Sequence, residues 1–232
     1  MRKENEQLPY VIETQIYGKT IKVYKAEGIN LPIIYSNDYS ENGLDVLKAC
    51  ASIDCPLFHL VTISGFDWDA YMSPWASNPV VSKDDNFEGK GQEHLKFLLE
   101  KTMPYAQSQI GENGNKSYIA GYSMGGLFAL WSMYETDFFD GCVCASGSLW
   151  FPSFKEFVMQ NSMKKAPDGI YLSLGDRESK TRNQVLRTTE SVYRELESYY
   201  KAENLNVTFE LNPGNHFKDE PLRMAKGFKW IL

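Results

Sequence analysis

The sequence predicts an α/β protein with a mostly parallel central sheet, helices on both faces and an antiparallel hairpin at its N-terminal end. Three observations carry this. Strand-like and helix-like runs alternate from residue 31 to the C-terminus, the later strands are apolar on both faces, and two alternating segments near the start are joined by Gly18-Lys19.

Taken in order, "YVIETQIYG" and "TIKVYKAEG" form the hairpin. "LPIIYS" is a strand, "ENGLDVLKACASID" a helix and "LFHLVTIS" a nearly all-apolar strand. Residues 65–90, rich in glycine, proline, aspartate and aromatics, read as loop. "GQEHLKFLLEKTMPYAQSQI" places Leu95, Leu98 and Leu99 at helical spacing. After a turn at Asn113-Gly114 come the strand "KSYIAGY", the helix "MGGLFALWSMYE", the strand "GCVCASGS", the helix "FPSFKEFVMQNS" and the strand "GIYLSLG". A long helix over 181–203, the strand "NVTFELN" and the helix "KDEPLRMAKGFKWIL" complete the chain. No repeat, low-complexity tract or linker interrupts this alternation, so residues 1–232 are expected to form one domain.

Composition narrows the function classes. With 43% hydrophobic and 14% aromatic residues the chain is globular. Its 24 basic and 30 acidic residues leave a net charge of −6, which argues against nucleic acid or an anionic membrane as partner. The start "MRKENEQLPY" shows no apolar run of a signal peptide, and no stretch has the length of a transmembrane helix. Cys50, Cys55, Cys142 and Cys144 form no C-x-x-C pair, and are expected to be small buried hydrophobes in a reducing cytoplasm. No histidine pair or Cys/His cluster has metal-ligand spacing, so no metal or other cofactor is expected.

The chemistry points to "IAGYSMGGL". Gly121-x-Ser123-x-Gly125 arises by accident in about one chain in ten of this size, so context has to decide. Ser123 falls between an apolar strand and a helix, the setting of a nucleophile elbow. A turn that tight strains the serine and needs small residues two positions away on each side, where Gly121 and Gly125 stand. It exposes the hydroxyl above a helix N-terminus whose free N–H groups favour negative charge, and Met124 N–H would be one oxyanion donor.

A serine hydroxyl needs a base. His59 lies inside an apolar strand and reads as structural; His94, beside Glu93 on a helix, reads as a solvated side chain. His216, in "LNPGNHF", follows the last strand at the carboxyl edge, where open α/β sheets place their sites, and is the expected base. "YLSLGDRESK" offers Glu178, preferred, or Asp176 as the carboxylate that orients it.

The stretches "HLKFLLEKTMPYAQSQI", "YIAGYSMGGLFALWSMYETDFFDGCVCASGSLW", "IYLSLGDRES" and "NPGNHF" resemble the esterase D branch of the α/β-hydrolases. That branch includes siderophore, feruloyl and acetyl-xylan esterases, S-formylglutathione hydrolases and mycolyltransferases. The resemblance implies an α/β-hydrolase fold, with Ser123 as nucleophile, His216 as base and the chain order serine, acid, histidine. It also implies a second oxyanion amide after "LPIIYS"; there the family's glycine-containing turn is replaced by Ser36-Asn37-Asp38-Tyr39, and Asp38 is the expected donor. The arginine that relatives often carry before the Ser-Pro of "YMSPWAS" is replaced by Tyr71-Met72.

A small-molecule carboxylic ester is the expected substrate. Trp68, Tyr71, Trp75 and Trp150 lie on loops near the carboxyl edge and are candidates to line its pocket. Asp67, Asp69, Asp84, Asp85 and Glu88, against Lys83 and Lys90, would repel a polyanionic ferric catecholate, which ranks a generic ester above a siderophore trilactone. An acyltransferase using the same residues is a rival within the class, and a catalytically silent binding protein a rival outside it. The sequence carries no indication of oligomeric state.

Overall fold

The computed structural model describes residues 10–111 and 116–232; residues 1–9 and the turn expected at Asn113-Gly114 lie outside the described residues. Eight strands form one sheet in the order β1-β2-β4-β3-β5-β6-β7-β8. These are β1 (Tyr10–Ile16), β2 (Lys19–Lys25), β3 (Ile33–Asn37), β4 (His59–Ser64), β5 (Ser117–Tyr122), β6 (Gly141–Ala145), β7 (Gly169–Gly175) and β8 (Val207–Asn212). The hairpin β1–β2 joins through an antiparallel β2–β4 pair, and every later pairing is parallel. Strands β3 to β7 are buried along their whole length, which is why they read as continuous apolar runs rather than alternating ones.

Helices cover both faces. On one face α1 (Gly43–Ser52) packs with α8 (Glu220–Ile231) over Ile34, Leu60, Ala120 and Val143. On the other, α3 (Gly91–Phe97), α4 (Met103–Ile110), α5 (Met124–Glu135), α6 (Phe154–Gln160) and α7 (Thr189–Ala202) pack over Tyr35, Ile63, Ile119, Cys142 and Cys144. The alternation expected of Cys142 and Cys144 is present, and both are buried with Cys50, whereas Cys55 is partly exposed.

Three helices depart from the sequence reading. The helix expected over 91–110 contains a π turn at Leu98–Thr102. Pro104 lacks the N–H that would bond the carbonyl four residues back, so regular α spacing cannot run through this point. The helix expected over 181–203 begins only at Thr189, after a 3₁₀ turn at Leu186–Thr188. Asn183 Oδ1 accepts from the N–H groups of Val185 (2.9 Å) and Leu186 (3.1 Å), an Asx turn that competes with helix. The loop 65–90 contains α2 (Trp68–Met72), capped by Asp67 Oδ1, which accepts from Ala70 N–H at 3.2 Å. Asp85 Oδ2 accepts from the N–H groups of Val80, Val81 and Ser82, so two of the acids read as a repelling rim also staple the loop.

The order β4-β3-β5 matters for function. From β3 the chain moves first to β4 on one side, then to β5 on the other, and the crevice at the carboxyl ends lies between β3 and β5. Ser123 follows β5 and the segment Asp38–Tyr39 follows β3 at that crevice.

Candidate active site

Ser123 sits at φ 56°, ψ −124°, in the left-handed region that costs a non-glycine residue about 1–3 kcal/mol. The surroundings enforce it. A Cβ on Gly121 would overlap the backbone of Gly125, and one on Gly125 would come 3.0 Å from the Trp68 ring. Strand and helix thus meet as closely as a turn bearing an exposed hydroxyl requires. Ser123 accepts at its own carbonyl from Gly126, Leu127 and Ser148 N–H, which locks the turn from both the helix and the β6 loop.

Three side chains then stand in series. His216 Nε2 lies 3.1 Å from Ser123 Oγ, and His216 Nδ1 lies 2.7 Å from Glu178 Oε2. If Nδ1 carries the proton and donates to the carboxylate, Nε2 is left as the acceptor facing the hydroxyl. Glu178 has a largely buried side chain, and Oε1 accepts from Gly175 N–H (2.7 Å), Ser146 Oγ (2.8 Å) and Arg223 Nη1 (2.9 Å). Burial alone would raise its pKa, but the bonds from His216, Gly175 and Ser146 outweigh it and hold the carboxyl below its usual range.

Asp176, the other candidate acid, is turned away from His216. Its Oδ1 accepts from Gly214 N–H at 2.8 Å, bracing the loop that carries the imidazole. The carboxylate three residues after Gly175 reaches the histidine; the one directly after it serves the backbone.

Asp38 does not fit the role expected of it. Its N–H donates to Ile63 O at 2.9 Å and is therefore spent, because the sheet ladder extends one residue past β3. Its buried carboxylate accepts from Asn42 and Gly43 N–H, both at 3.2 Å, closing the turn into α1. Burial comes first among the influences that raise its pKa. The carboxylate is thus directed to the start of α1.

Two cavities meet at the series. The smaller, about 290 Å³, runs between α1 and α8 beneath Tyr39, with Trp68 and Thr62 in its wall. The larger, about 530 Å³, lies toward Asp69, Phe87, Trp150 and Arg177. Ser123, His216 and Phe217 line both, and the Phe217 ring is 89% exposed on the ridge between them. Of the four aromatics proposed for the pocket, Trp68 and Trp150 line a cavity. Tyr71 and Trp75 line neither of these two cavities: Tyr71 packs on Lys19, while Trp75 donates to Pro152 O and stacks among Phe151, Phe154 and Phe157.

Sequence reasoning missed Arg223. It is 1% exposed, and besides Glu178 it donates to Tyr122 Oη, Ser146 Oγ, Asn215 O and Pro213 O. One guanidinium therefore ties the acid, the β5 end and the His216 loop. The available sign was its place at helical spacing with Gly227 and Ile231, a charge on the buried stripe of an amphipathic helix. His94, expected in solvent, is fully buried, and His59 is buried within β4 as expected, accepting from Ala26 N–H.

An eight-stranded, mostly parallel sheet with this elbow at its crevice defines the α/β-hydrolase class. The family model described as "Putative esterase" matches residues 51–219, more than half of the chain, and the chain belongs to that family of hydrolases. No curated protein matches it in sequence. Among solved structures it is similar to the siderophore hydrolase EstB from Aspergillus nidulans, with a TM-score of 0.77 at 19% identity over 97% of this chain and 96% of that one. It is also similar to the enterobactin and salmochelin hydrolase IroE (TM-score 0.71, 16% identity, 97% and 95% covered). A ferulic acid esterase gives a TM-score of 0.62 at 14% identity, with 97% and 99% covered. At these identities the structural likeness speaks to fold. Among the described residues no helix is long and apolar enough to cross a membrane.

Proposed function

We propose that this family member is a serine esterase that hydrolyses a small-molecule carboxylic ester through an acyl-enzyme on Ser123. The observation that carries the reading is the unbroken series from Ser123 Oγ through His216 to Glu178, at 3.1 and 2.7 Å. His216 Nε2 takes the hydroxyl proton as Oγ attacks the carbonyl carbon. The imidazolium that forms is stabilised by Glu178, which stays ionised. The carbonyl oxygen becomes an oxyanion and accepts from Met124 N–H at the start of α5. With the Asp38 amide engaged, the neighbouring amide of Tyr39, in the wall of the smaller cavity, serves as the second donor. Collapse expels the alcohol, which leaves with the proton from His216. Water then repeats the sequence on the acyl group and restores the serine.

The two cavities sharing Ser123 and His216 favour a substrate with an arm on each side of the scissile bond. The test is hydrolysis of p-nitrophenyl acetate and butyrate, aryl esters and siderophore trilactones by the wild type, Ser123→Ala and His216→Ala. Expected is turnover of at least one ester by the wild type and loss of about 10³-fold or more in both variants. Turnover that survives both substitutions overturns the assignment, and a wild type inactive on the whole panel favours a silent binding protein.

A further inference from the structure

The expected solvated histidine is the centre of a buried polar chain. His94 Nδ1 lies 2.6 Å from Lys19 Nζ, and His94 Nε2 lies 2.8 Å from Asn37 Oδ1. Lys19 is 7% exposed, His94 0% and Asn37 3%, so all three have left water. An ammonium can only donate, which makes Nδ1 the acceptor and Nε2–H the donor to Oδ1. That leaves the amide nitrogen of Asn37 buried and without a partner among the described residues, which is unfavourable. A buried Lys–His–Asn chain is an expensive way to fill space, and apolar side chains would do it at lower cost.

The chain ends where the chemistry is. Asn37 closes β3, pairs in register with Gly121, and its carbonyl oxygen is 3.4 Å from the position a Cβ on Gly125 would take. The other end of the chain grips rings. Lys19 Nζ lies 4.0 Å from the centroid of Tyr71, 4.7 Å from Phe97 and 4.9 Å from Phe66. Phe66 stacks on Trp68 at 5.7 Å, and Trp68 contacts Tyr39 at 5.4 Å while its ring walls the cavity beside Ser123.

We propose that Lys19 is a positioning residue: through His94 and the Phe66–Tyr71–Phe97 cluster, its ammonium holds Asn37 and Trp68 against the Ser123 turn. Its effect on turnover rests on the serine-esterase reading; its grip on Trp68 does not. Burial pulls the Lys19 pKa down to about 8, only partly opposed by Glu93 on α3. The other titratable groups facing it are His94, kept neutral by burial and by Lys19 itself, and Tyr71, whose phenol donates to Glu93. Titration near pH 8 therefore removes the charge that the three rings and the imidazole hold.

The test uses the full chain and the double variant Lys19→Met/His94→Phe, which replaces the polar pair by apolar groups among aromatic neighbours and so guards against simple misfolding. Tryptophan fluorescence is followed from pH 7 to 9.5, with Trp68→Phe identifying the reporter and Cys55→Ser excluding the partly exposed thiol. Expected is a transition near pH 8 in the wild type and Cys55→Ser that is absent from the double variant and from Trp68→Phe. On p-nitrophenyl acetate the double variant is expected to lose about tenfold in kcat with KM within twofold, and to lose the alkaline limb near pH 8. A wild type without the fluorescence transition, or a double variant that keeps it or keeps wild-type kcat, overturns the proposal. A transition that behaves as expected in a protein inactive on every ester overturns the esterase reading and leaves the Lys19 grip standing.

Discussion

Arg223 Nη1 donates to Glu178 Oε1 at 2.9 Å while His216 Nδ1 lies 2.7 Å from the other oxygen of the same carboxylate. The guanidinium also holds Asn215 O at 2.8 Å, one residue before the histidine. A single buried cation thus sets both Glu178 and the loop that presents His216. Arg223→Met leaves Glu178 buried without its counter-charge and frees that loop. The expected cost is about 3–5 kcal/mol of stability together with a large fall in kcat. Arg223→Lys keeps the charge but not the fork, and is expected to recover only part of both. Urea unfolding and kcat of the two variants check this; a methionine variant within 1 kcal/mol of wild type (on the order of a fivefold change in unfolding equilibrium) speaks against it.

Glu178 and Asp176 lie two residues apart, and only one reaches the imidazole. Glu178→Gln is expected to lower kcat by about 10³–10⁴-fold, because an amide no longer stabilises the imidazolium or selects its tautomer. Asp176→Asn keeps an acceptor for Gly214 N–H and is expected to stay within severalfold of wild type. Equal losses in the two variants contradict the assignment.

The same carboxylate makes stability pH-dependent in a defined direction. Its folded pKa is lower than in the unfolded chain, so the unfolded state binds the proton more readily. The stabilisation is present above the ordinary carboxylate range and is lost as pH falls through the lowered folded value. The stability gap between wild type and Glu178→Gln is therefore expected to narrow as pH drops from 6 to 3. Chemical denaturation across that range measures it, and a gap that widens toward acid contradicts the account.

The elbow stores strain that can be released. Ser123→Gly removes the left-handed penalty at φ 56° and is expected to be more stable than Ser123→Ala by about 1 kcal/mol, with both inactive. Gly121→Ala pushes a methyl into the Gly125 backbone and is expected to cost about 2 kcal/mol or more. Thermal melts of the three variants rank them.

What the sequence revealed follows from locality. Ser123, His216 and Glu178 each sit where a parallel strand ends and a turn residue follows, so chain order and element order locate them. Strands β3 to β8 and the hairpin were legible for the same reason. Arg223 and the Lys19–His94–Asn37 chain were not, because their side-chain partners lie 45 to 101 residues away and each stands in an ordinary amphipathic pattern. His94 beside Glu93 looks solvated until the hairpin brings Lys19 onto it. Asp38 was misread because nothing local shows that its N–H continues the ladder to Ile63.

A nucleophilic Ser123 is open to covalent capture by a fluorophosphonate. Expected from intact and peptide mass measurement after fluorophosphonate treatment is one adduct per chain, on the peptide containing Ser123, absent in Ser123→Ala and much slower to form in His216→Ala. An adduct on another residue, or an unlabelled Ser123 in a protein that hydrolyses esters, contradicts a nucleophilic Ser123.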